Sequence, residues 1–166
     1  AHYPLELAEA MEPYIKPGDM AQIARPVDWF GLNHYSPHYI RADANLIGAG
    51  FGAPPVEVRR TAIGWPIVPD AFRDTLLDIH HRFRLPIYVL ENGTAADDKL
   101  DEAGRVQDPA RIAYLDAYTR AMQEAIRAGA DVKGYFVWSL LDNFEWTSGY
   151  SQRFGLVHVD FATQKR

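Results

Sequence analysis

The strongest constraint on the fold is a short apolar run that ends in a carboxylate. Residues 86–90 read Pro-Ile-Tyr-Val-Leu, and Glu91 follows directly, before an Asn-Gly pair. A continuous apolar run of this length is typical of a buried parallel strand, and Asn-Gly is typical of a turn. Barrels built of alternating strands and helices keep catalytic groups at the carboxyl ends of such strands. On this run alone two interpretations of Glu91 stay open: a glutamate that only begins a surface turn, which is the commoner case, and a catalytic carboxylate, for which the motifs further along the chain are needed.

Strands and amphipathic helices alternate along the chain. Apolar runs predict strands over residues 27–33, 86–91 and 134–141. Apolar residues at helical spacing predict helices over residues 4–15, 70–83 and 108–129. The glycine-rich residues 41–64 predict a long irregular loop with at most a short hairpin, and residues 154–161 predict a last extended segment. Such alternation is typical of parallel βα units, so the predicted fold class is α/β.

The helix predicted over residues 108–129 has the clearest boundaries. Asp108 and Pro109 are typical of an N-cap and a first helical position, and Gly129 is typical of a C-terminal cap. The apolar stripe that we expect this helix to turn toward the core consists of Ile112, Leu115, Met122 and Ile126.

Three core strands are too few for a closed barrel. The chain has 166 residues, whereas a complete eight-stranded barrel typically needs about 250 and rarely fewer than about 200. The chain also begins without Met and stops directly after a strand-like segment. We therefore expect it to be part of a longer protein and unable to close a barrel alone.

Composition excludes several classes of function. A net charge of −5 without a basic stripe argues against nucleic acid and anionic membranes as partners. No apolar run approaches 18 residues and no leader is evident, so we expect no membrane span or signal peptide. The absence of cysteine favours a cytoplasmic protein. None of the six histidines has the spacing of metal ligands, and we expect neither metal nor cofactor. We expect Asp97 and Asp98, in a polar loop, to be solvated.

Three motifs occur at or near the ends of the predicted strands. They are Asn33-His34-Tyr35, Glu91-Asn92-Gly93, and the segment from Trp138 through six residues to Glu145-Trp146. In this order they resemble family 1 glycoside hydrolases, the retaining β-glucosidases and β-galactosidases. The resemblance covers nearly the whole chain. It implies that residues 1–166 are the C-terminal portion of a (β/α)8 TIM barrel, carrying about strands six to eight.

The resemblance implies two residues that act on the reacting bond. Glu91 matches the nucleophile of the family, and a retaining glycosidase needs a carboxylate that forms a covalent glycosyl intermediate. Tyr35 matches the tyrosine whose hydroxyl orients that carboxylate. The alternative for Tyr35 is an ordinary aromatic at the rim of the core. His34 and Leu90 depart from the family, which more often has Tyr and Thr at these positions, and both departures bear on substrate preference.

The resemblance also implies a set of sugar-binding residues. Glu145 matches a residue that grips sugar hydroxyls, with Trp146 beside it, because a carboxylate accepts two hydrogen bonds from a vicinal diol. Trp138 matches the stacking floor, although simple barrel packing is its alternative role. The remaining candidates are Asn33 near the 2-hydroxyl, Phe154 as a wall and Trp65 on the leaving-group side. A further alternative is that Glu91 and Glu145 form their own catalytic pair.

The acid/base of the family is missing. It belongs to a Thr-x-Asn-Glu-Pro motif, and no Asn-Glu-Pro occurs here; Met11-Glu12-Pro13 comes closest. We therefore expect hydrolysis of terminal β-glucosyl or galactosyl residues, from β-glucosides or oligosaccharides, only beside a complementary N-terminal barrel fragment. The isolated chain should be weakly active or inactive and prone to self-association. The alternative is an inactive carbohydrate-binding or barrel-assembly fragment.

Overall fold

The computed structural model describes residues 5–43 and 48–166. The strands are β1 (Phe30–Asn33), β2 (Ile40–Asp43), β3 (Gly48–Phe51), β4 (Ile87–Asn92) and β5 (Val132–Val137). The α-helices are α1 (Leu5–Met11), α2 (Asp19–Ile23), α3 (Pro69–Phe83) and α4 (Pro109–Arg127). Two short 3-10 helices cover Glu12–Tyr14 and Trp146–Ser148.

A three-stranded parallel sheet forms the centre of the described chain. Its strand order is β1-β4-β5, and both pairings are parallel, which confirms the predicted parallel units. The register pairs Leu32 with Val89 and then, after an irregularity, Asn33 with Glu91. The carboxyl ends of all three strands therefore lie at one edge. Strands β2 and β3 form a separate antiparallel hairpin within the predicted loop.

Helices α3 and α4 cover one face of this sheet. The buried cluster contains Phe72, Leu76 and Ile79 of α3, Ile87 and Val89 of β4, and Tyr114, Tyr118 and Ala125 of α4. Full burial of one such aliphatic or aromatic side chain contributes about 1.5–3 kcal/mol. This face is a complete helix–sheet core within the chain itself.

The opposite face of the sheet is open. Trp29, Leu90 and Phe136 are exposed on the described chain. Within residues 5–43 and 48–166, β1 and β5 each pair along one side only. Unpaired strand edges and an exposed apolar face are features that proteins ordinarily cover.

The structure corrects several predictions about packing. In α4, Ile112 is 63% exposed and Ile126 is 44% exposed, while the face toward the sheet consists of Tyr114, Tyr118, Ala121 and Ala125. The predicted stripe was right for Leu115 and Met122, which pack against the core, and wrong for Ile112 and Ile126. Small and hydroxyl-bearing residues replace these two because they allow close packing and receive hydrogen bonds there. Asp108 occupies the N-cap position without a capping side-chain hydrogen bond, whereas Gly129 ends the helix with a positive φ of 106° as expected.

Two further segments differ from the sequence prediction. Residues 154–161 form no strand and join the fold through one isolated bridge, between Val157 and Leu141. Helix α2 was not predicted. No helix in the described ranges is long and apolar enough to cross a membrane.

Candidate active site

The three parallel strands end around one cleft of about 380 Å³. Its lining contains seven of the eight predicted site residues: Asn33, Tyr35, Trp65, Glu91, Trp138, Glu145 and Trp146. Glu91 is the penultimate residue of β4, Tyr35 follows β1, and Trp138 follows β5. The parallel register brings these residues together because it places all three strand ends at one edge.

A hydrogen bond joins Tyr35 to Glu91 at the centre of this cleft. The Tyr35 hydroxyl donates to Glu91 Oε2 over 2.7 Å. Burial, followed by the hydrogen bond to Glu91 and the negative charges of Glu91 and Glu145, raises the pKa of Tyr35 far above its ordinary value. The phenol therefore stays protonated and remains a donor to the carboxylate. The His34 amide donates to the Glu91 carbonyl over 2.9 Å, which extends the strand pairing up to Tyr35.

Aromatic rings build one side of the cleft. The Trp65 ring lies 5.2 Å from the Tyr35 ring and 6.0 Å from the Phe154 ring, between centroids. Phe154 is only 1% exposed and contacts Tyr35 edge-on at 6.2 Å. The structure therefore places Phe154 behind the lining, where it supports Tyr35 and Trp65, and not on the cleft surface as predicted.

The loop after β5 carries Glu145 and Trp146. The Glu145 amide donates to the Gly149 carbonyl over 2.7 Å, and the Ser148 amide donates to the Glu145 carbonyl over 2.8 Å. These bonds fix the backbone of the loop at Glu145, a residue that lines the cleft. Trp146 is 81% exposed on the described chain.

The loop after β4 approaches the loop after β5 through Gly93. A Cβ atom at Gly93 would lie 1.8 Å from the Trp138 carbonyl oxygen. Glycine is therefore required at this position for the two strand ends to meet. The neighbouring Asn92 carbonyl accepts a hydrogen bond from the Trp138 amide over 2.9 Å.

A buried polar cluster lies behind the cleft, on the helix side of the sheet. Asn92 is fully buried, and its side-chain amide donates to the His34 carbonyl over 2.8 Å and to the Tyr114 hydroxyl over 3.1 Å. The hydroxyls of Tyr114 and Tyr118 each donate to the Tyr35 carbonyl over 3.2 Å. Sequence reasoning missed this cluster. The sequence feature that could have predicted it is the pair of tyrosines four residues apart, which lie on one face of α4.

A second buried cluster joins the loop between β4 and α4 to the segment after β5. Arg111 of α4 is 2% exposed; it donates to both carboxylate oxygens of Asp98, to Asp108 and to the Arg153 carbonyl. The Arg153 guanidinium in turn lies 2.5 Å from Asp142, whose carboxylate also accepts from two backbone amides. Asp98 is thus buried, which corrects the expectation that it is solvated.

The chemistry of the lining fits an uncharged polyol. Among the described lining residues, two are carboxylates, three are tryptophans and none is cationic. Carboxylates accept hydrogen bonds from hydroxyl groups, and flat rings pack against the apolar face of a sugar. Within the described ranges, no group of three or more His, Cys, Asp or Glu residues is arranged to hold a metal ion.

Comparison with known proteins identifies the family of the chain. The model of glycosyl hydrolase family 1 matches residues 2–166. The chain is 44% identical over 163 residues to beta-glucosidase A of Thermotoga maritima, covering 98% of this chain and 36% of that protein. It is 40% identical over 189 residues to a 6-phospho-beta-galactosidase of Lacticaseibacillus rhamnosus, covering 96% of this chain and 40% of that protein.

A solved structure agrees in fold. The beta-glucosidase of Thermotoga maritima in complex with deoxynojirimycin superposes with a TM-score of 0.88 at 42% identity, covering 99% of this chain and 38% of that one. The described sheet thus corresponds to part of that protein's barrel. The chain spans less than half the length of these relatives.

Proposed function

The chain belongs to glycosyl hydrolase family 1, and from this premise we propose that it carries the nucleophile side of a retaining β-glycosidase site. The observation that carries the proposal is the 2.7 Å hydrogen bond from Tyr35 to Glu91 in a cleft lined by aromatic rings. A carboxylate that lines the cleft and is held through one oxygen has its second oxygen for attack on an anomeric carbon.

In the proposed reaction Glu91 displaces the leaving group of a β-glucoside. A bond forms between the carboxylate oxygen and the anomeric carbon, and the bond from that carbon to the glycosidic oxygen breaks. The departing oxygen takes a proton from a general acid. Water then attacks the glycosyl-enzyme, gives a proton to the same acid/base, and releases Glu91 as a carboxylate. The acid/base belongs to a part of the barrel outside this chain.

The remaining cleft residues bind the sugar in this proposal. Trp138 supplies a stacking surface, Glu145 accepts hydrogen bonds from hydroxyls, and Asn33 contacts the sugar near Glu91. The described lining has two carboxylates and no cation, so a neutral sugar is favoured over a phosphorylated one. A relative named 6-phospho-beta-galactosidase makes this distinction relevant.

A complementary part of the barrel completes the protein in the same proposal. The exposed side chains of Trp29, Leu90 and Phe136 and the outer edges of β1 and β5 support it, since each is a surface that further strands would cover. The described strands would then be about the sixth to eighth of the barrel. Alternatively, a second copy of the chain would cover these surfaces by self-association. The expected cytoplasmic location remains a prediction.

The test is covalent trapping followed by mass spectrometry. The protein is treated with a 2-deoxy-2-fluoro β-glucoside that carries a dinitrophenyl leaving group, which departs without an acid. We expect a mass gain on the peptide that contains Glu91 and none in Glu91→Gln. A labelled wild-type protein in which the adduct lies on another residue would refute the assignment. A folded, sugar-binding protein without any adduct would favour the inactive binding fragment.

Replacement of Glu145 separates recognition from chemistry. Glu145→Gln should weaken sugar affinity by about 10–100-fold, since one hydrogen bond to a charged group contributes about 1.5–3 kcal/mol. Trapping of Glu91 at saturating reagent should persist. Loss of trapping at every reagent concentration, with the fold intact, would instead support a catalytic pair of Glu91 and Glu145.

A further inference from the structure

The main chain of Tyr35 is held from the helix side of the sheet. Strand β1 ends at Asn33, and the last pairing to β4 is the His34 amide with the Glu91 carbonyl. Beyond that bond, the Tyr35 carbonyl accepts from two hydroxyls on α4, those of Tyr114 and Tyr118. The residue that holds the nucleophile thus depends on a helix that does not reach the cleft.

We propose that Tyr114, Tyr118 and Asn92 are positioning residues that set the Tyr35–Glu91 hydrogen bond. The proposal deepens the function proposed above and rests on it. None of the three residues lines the cleft, and all three lie among the buried residues. Tyr114 and Tyr118 act on Glu91 through the Tyr35 carbonyl, and Asn92 acts through the His34 carbonyl and the Tyr114 hydroxyl.

The direction of each hydrogen bond follows from what each atom can donate. The Val68 amide donates to the Tyr118 hydroxyl over 3.2 Å, so the proton of that hydroxyl is free for the Tyr35 carbonyl. The Asn92 amide donates to the Tyr114 hydroxyl, so the Tyr114 proton is likewise free for the same carbonyl. Both hydroxyls therefore point their protons at one oxygen.

The cluster of Tyr114, Tyr118 and Asn92 is held by ring packing as well as by hydrogen bonds. The rings of Tyr114 and Tyr118 stack with centroids 4.1 Å apart and planes 16° apart. The second proton of the Asn92 amide goes to the His34 carbonyl, and the Asn92 oxygen accepts from the Tyr135 hydroxyl over 2.8 Å. Two consecutive carbonyls, those of His34 and Tyr35, are thereby anchored. A buried network in which every group is paired specifies a single arrangement.

This arrangement explains how the cleft side chain is aimed. Tyr35 turns its carbonyl toward α4 and its phenol toward Glu91, so rotation of its backbone would carry the hydroxyl away from the carboxylate. Its ring has partners in Trp65 and Phe154. Ring contacts at 5–6 Å restrict the plane of the ring, whereas the two carbonyl bonds restrict the position of the backbone.

The test compares Tyr114→Phe with Thr119→Val in the assembled protein. Both changes remove one partly or fully buried hydroxyl from α4, but the Thr119 hydroxyl bonds only to carbonyls of its own helix, over 2.6 and 3.1 Å. For Tyr114→Phe we expect the trapping rate constant of the fluoroglucoside at saturation to fall about fivefold. Affinity for deoxynojirimycin should change by less than about twofold. Thr119→Val should leave both unchanged.

The outcomes separate this inference from the proposed function. Trapping of the wild-type protein at Glu91 with an equal rate constant in folded Tyr114→Phe would overturn the inference and leave the function standing. If the wild-type protein is not trapped, the proposed function fails. The inference is then decided by crystal structures, where Tyr114→Phe should lengthen the Tyr35–Glu91 distance and an unchanged distance overturns it. Should Tyr114→Phe not fold, Tyr118→Phe is measured in the same two ways.

Discussion

Removal of the Arg111 side chain should cost more stability than any single surface change. Arg111→Met keeps most of the volume and removes the charge and all donors. Asp98, whose side chain is 3% exposed, would then be a buried carboxylate without a counter-charge. Removal of one partner of a buried pair costs about 3–5 kcal/mol.

The lower part of that range is expected from the geometry. Asp108, the second partner of Arg111, is 20% exposed and can turn toward water. The Arg153 carbonyl also accepts from the Ala96 amide over 3.1 Å, so it keeps one donor. We therefore expect a loss of about 3–4 kcal/mol in the free energy of unfolding at neutral pH.

The loss of stability caused by Arg111→Met should be smaller at acidic pH. Burial already raises the pKa of Asp98 above its ordinary value of 3.8, against the attraction of Arg111, and without Arg111 that attraction is gone. As the pH falls, a group whose pKa is raised in the native state is protonated at a higher pH there than in the unfolded chain. The stability of the variant should therefore rise as the pH falls from neutral toward the ordinary pKa of Asp98, and be lost again as the pH rises.

Urea unfolding of four proteins measures this prediction. Arg111→Met is compared with the wild-type protein and with Arg111→Met/Asp98→Leu, in which no uncompensated charge remains and most stability should return. Arg120→Met is the matched control, because Arg120 lies on the same helix in an exposed pair with Asp116; its midpoint should stay at the wild-type value. The reasoning is refuted if Arg111→Met unfolds at the same urea concentration as Arg120→Met.

Two further substitutions test the surroundings of the strand ends. Burial lowers the pKa of His34 from 6.5 to about 4. Its neutral form is favoured in the native state, so stability present above pH 6.5 should be lost as the pH falls through about 4, by up to about 3 kcal/mol. In His34→Phe, the unfolding temperature should depend less on pH between 6.5 and 4 than in the wild-type protein. An equal dependence on pH in both proteins would contradict this assignment of the effect to His34. Gly93→Ala should abolish binding of deoxynojirimycin in titration calorimetry, because its Cβ would meet the Trp138 carbonyl. Gly52→Ala, with its nearest contact at 3.5 Å, should bind normally.

The sequence was sufficient for the parts of the fold that local pattern determines. The apolar run before Glu91 predicted a central parallel strand, and Pro109 and Gly129 marked the limits of α4. The motifs then predicted seven residues that the structure gathers in one cleft. The predicted positions agree with the structure because each depended on spacing along one element and on the common edge of a parallel sheet. The chemical roles of the seven residues stay predictions.

The predictions that failed depended on tertiary contacts. Ile112 and Ile126 have the right spacing and hydropathy for a core stripe, yet α4 turns its tyrosines and alanines inward, where the hydroxyls find the Tyr35 carbonyl. Asp98 resembles any acidic loop residue until Arg111 is known to be buried beside it. Phe154 was assigned to the cleft from its motif, and only its packing on Trp65 and Tyr35 places it behind.

The two faces of the sheet depend on different parts of the protein. The hydrogen bond from Tyr35 to Glu91 is supported by β4 and α4, and every donor and acceptor in that support lies within the described residues. The open face of the sheet and the loop after β5 instead present Leu90, Phe136 and Trp146 to solvent. Alignment of Glu91, the proposed nucleophile, is therefore a local property of this chain, because its supports are buried without further strands. Exclusion of water from the cleft is not a local property of this chain, since the exposed side chains need a covering surface before a sugar can be enclosed. It follows that assembly with the rest of the barrel should change sugar affinity and proton transfer far more than it changes the geometry around Glu91.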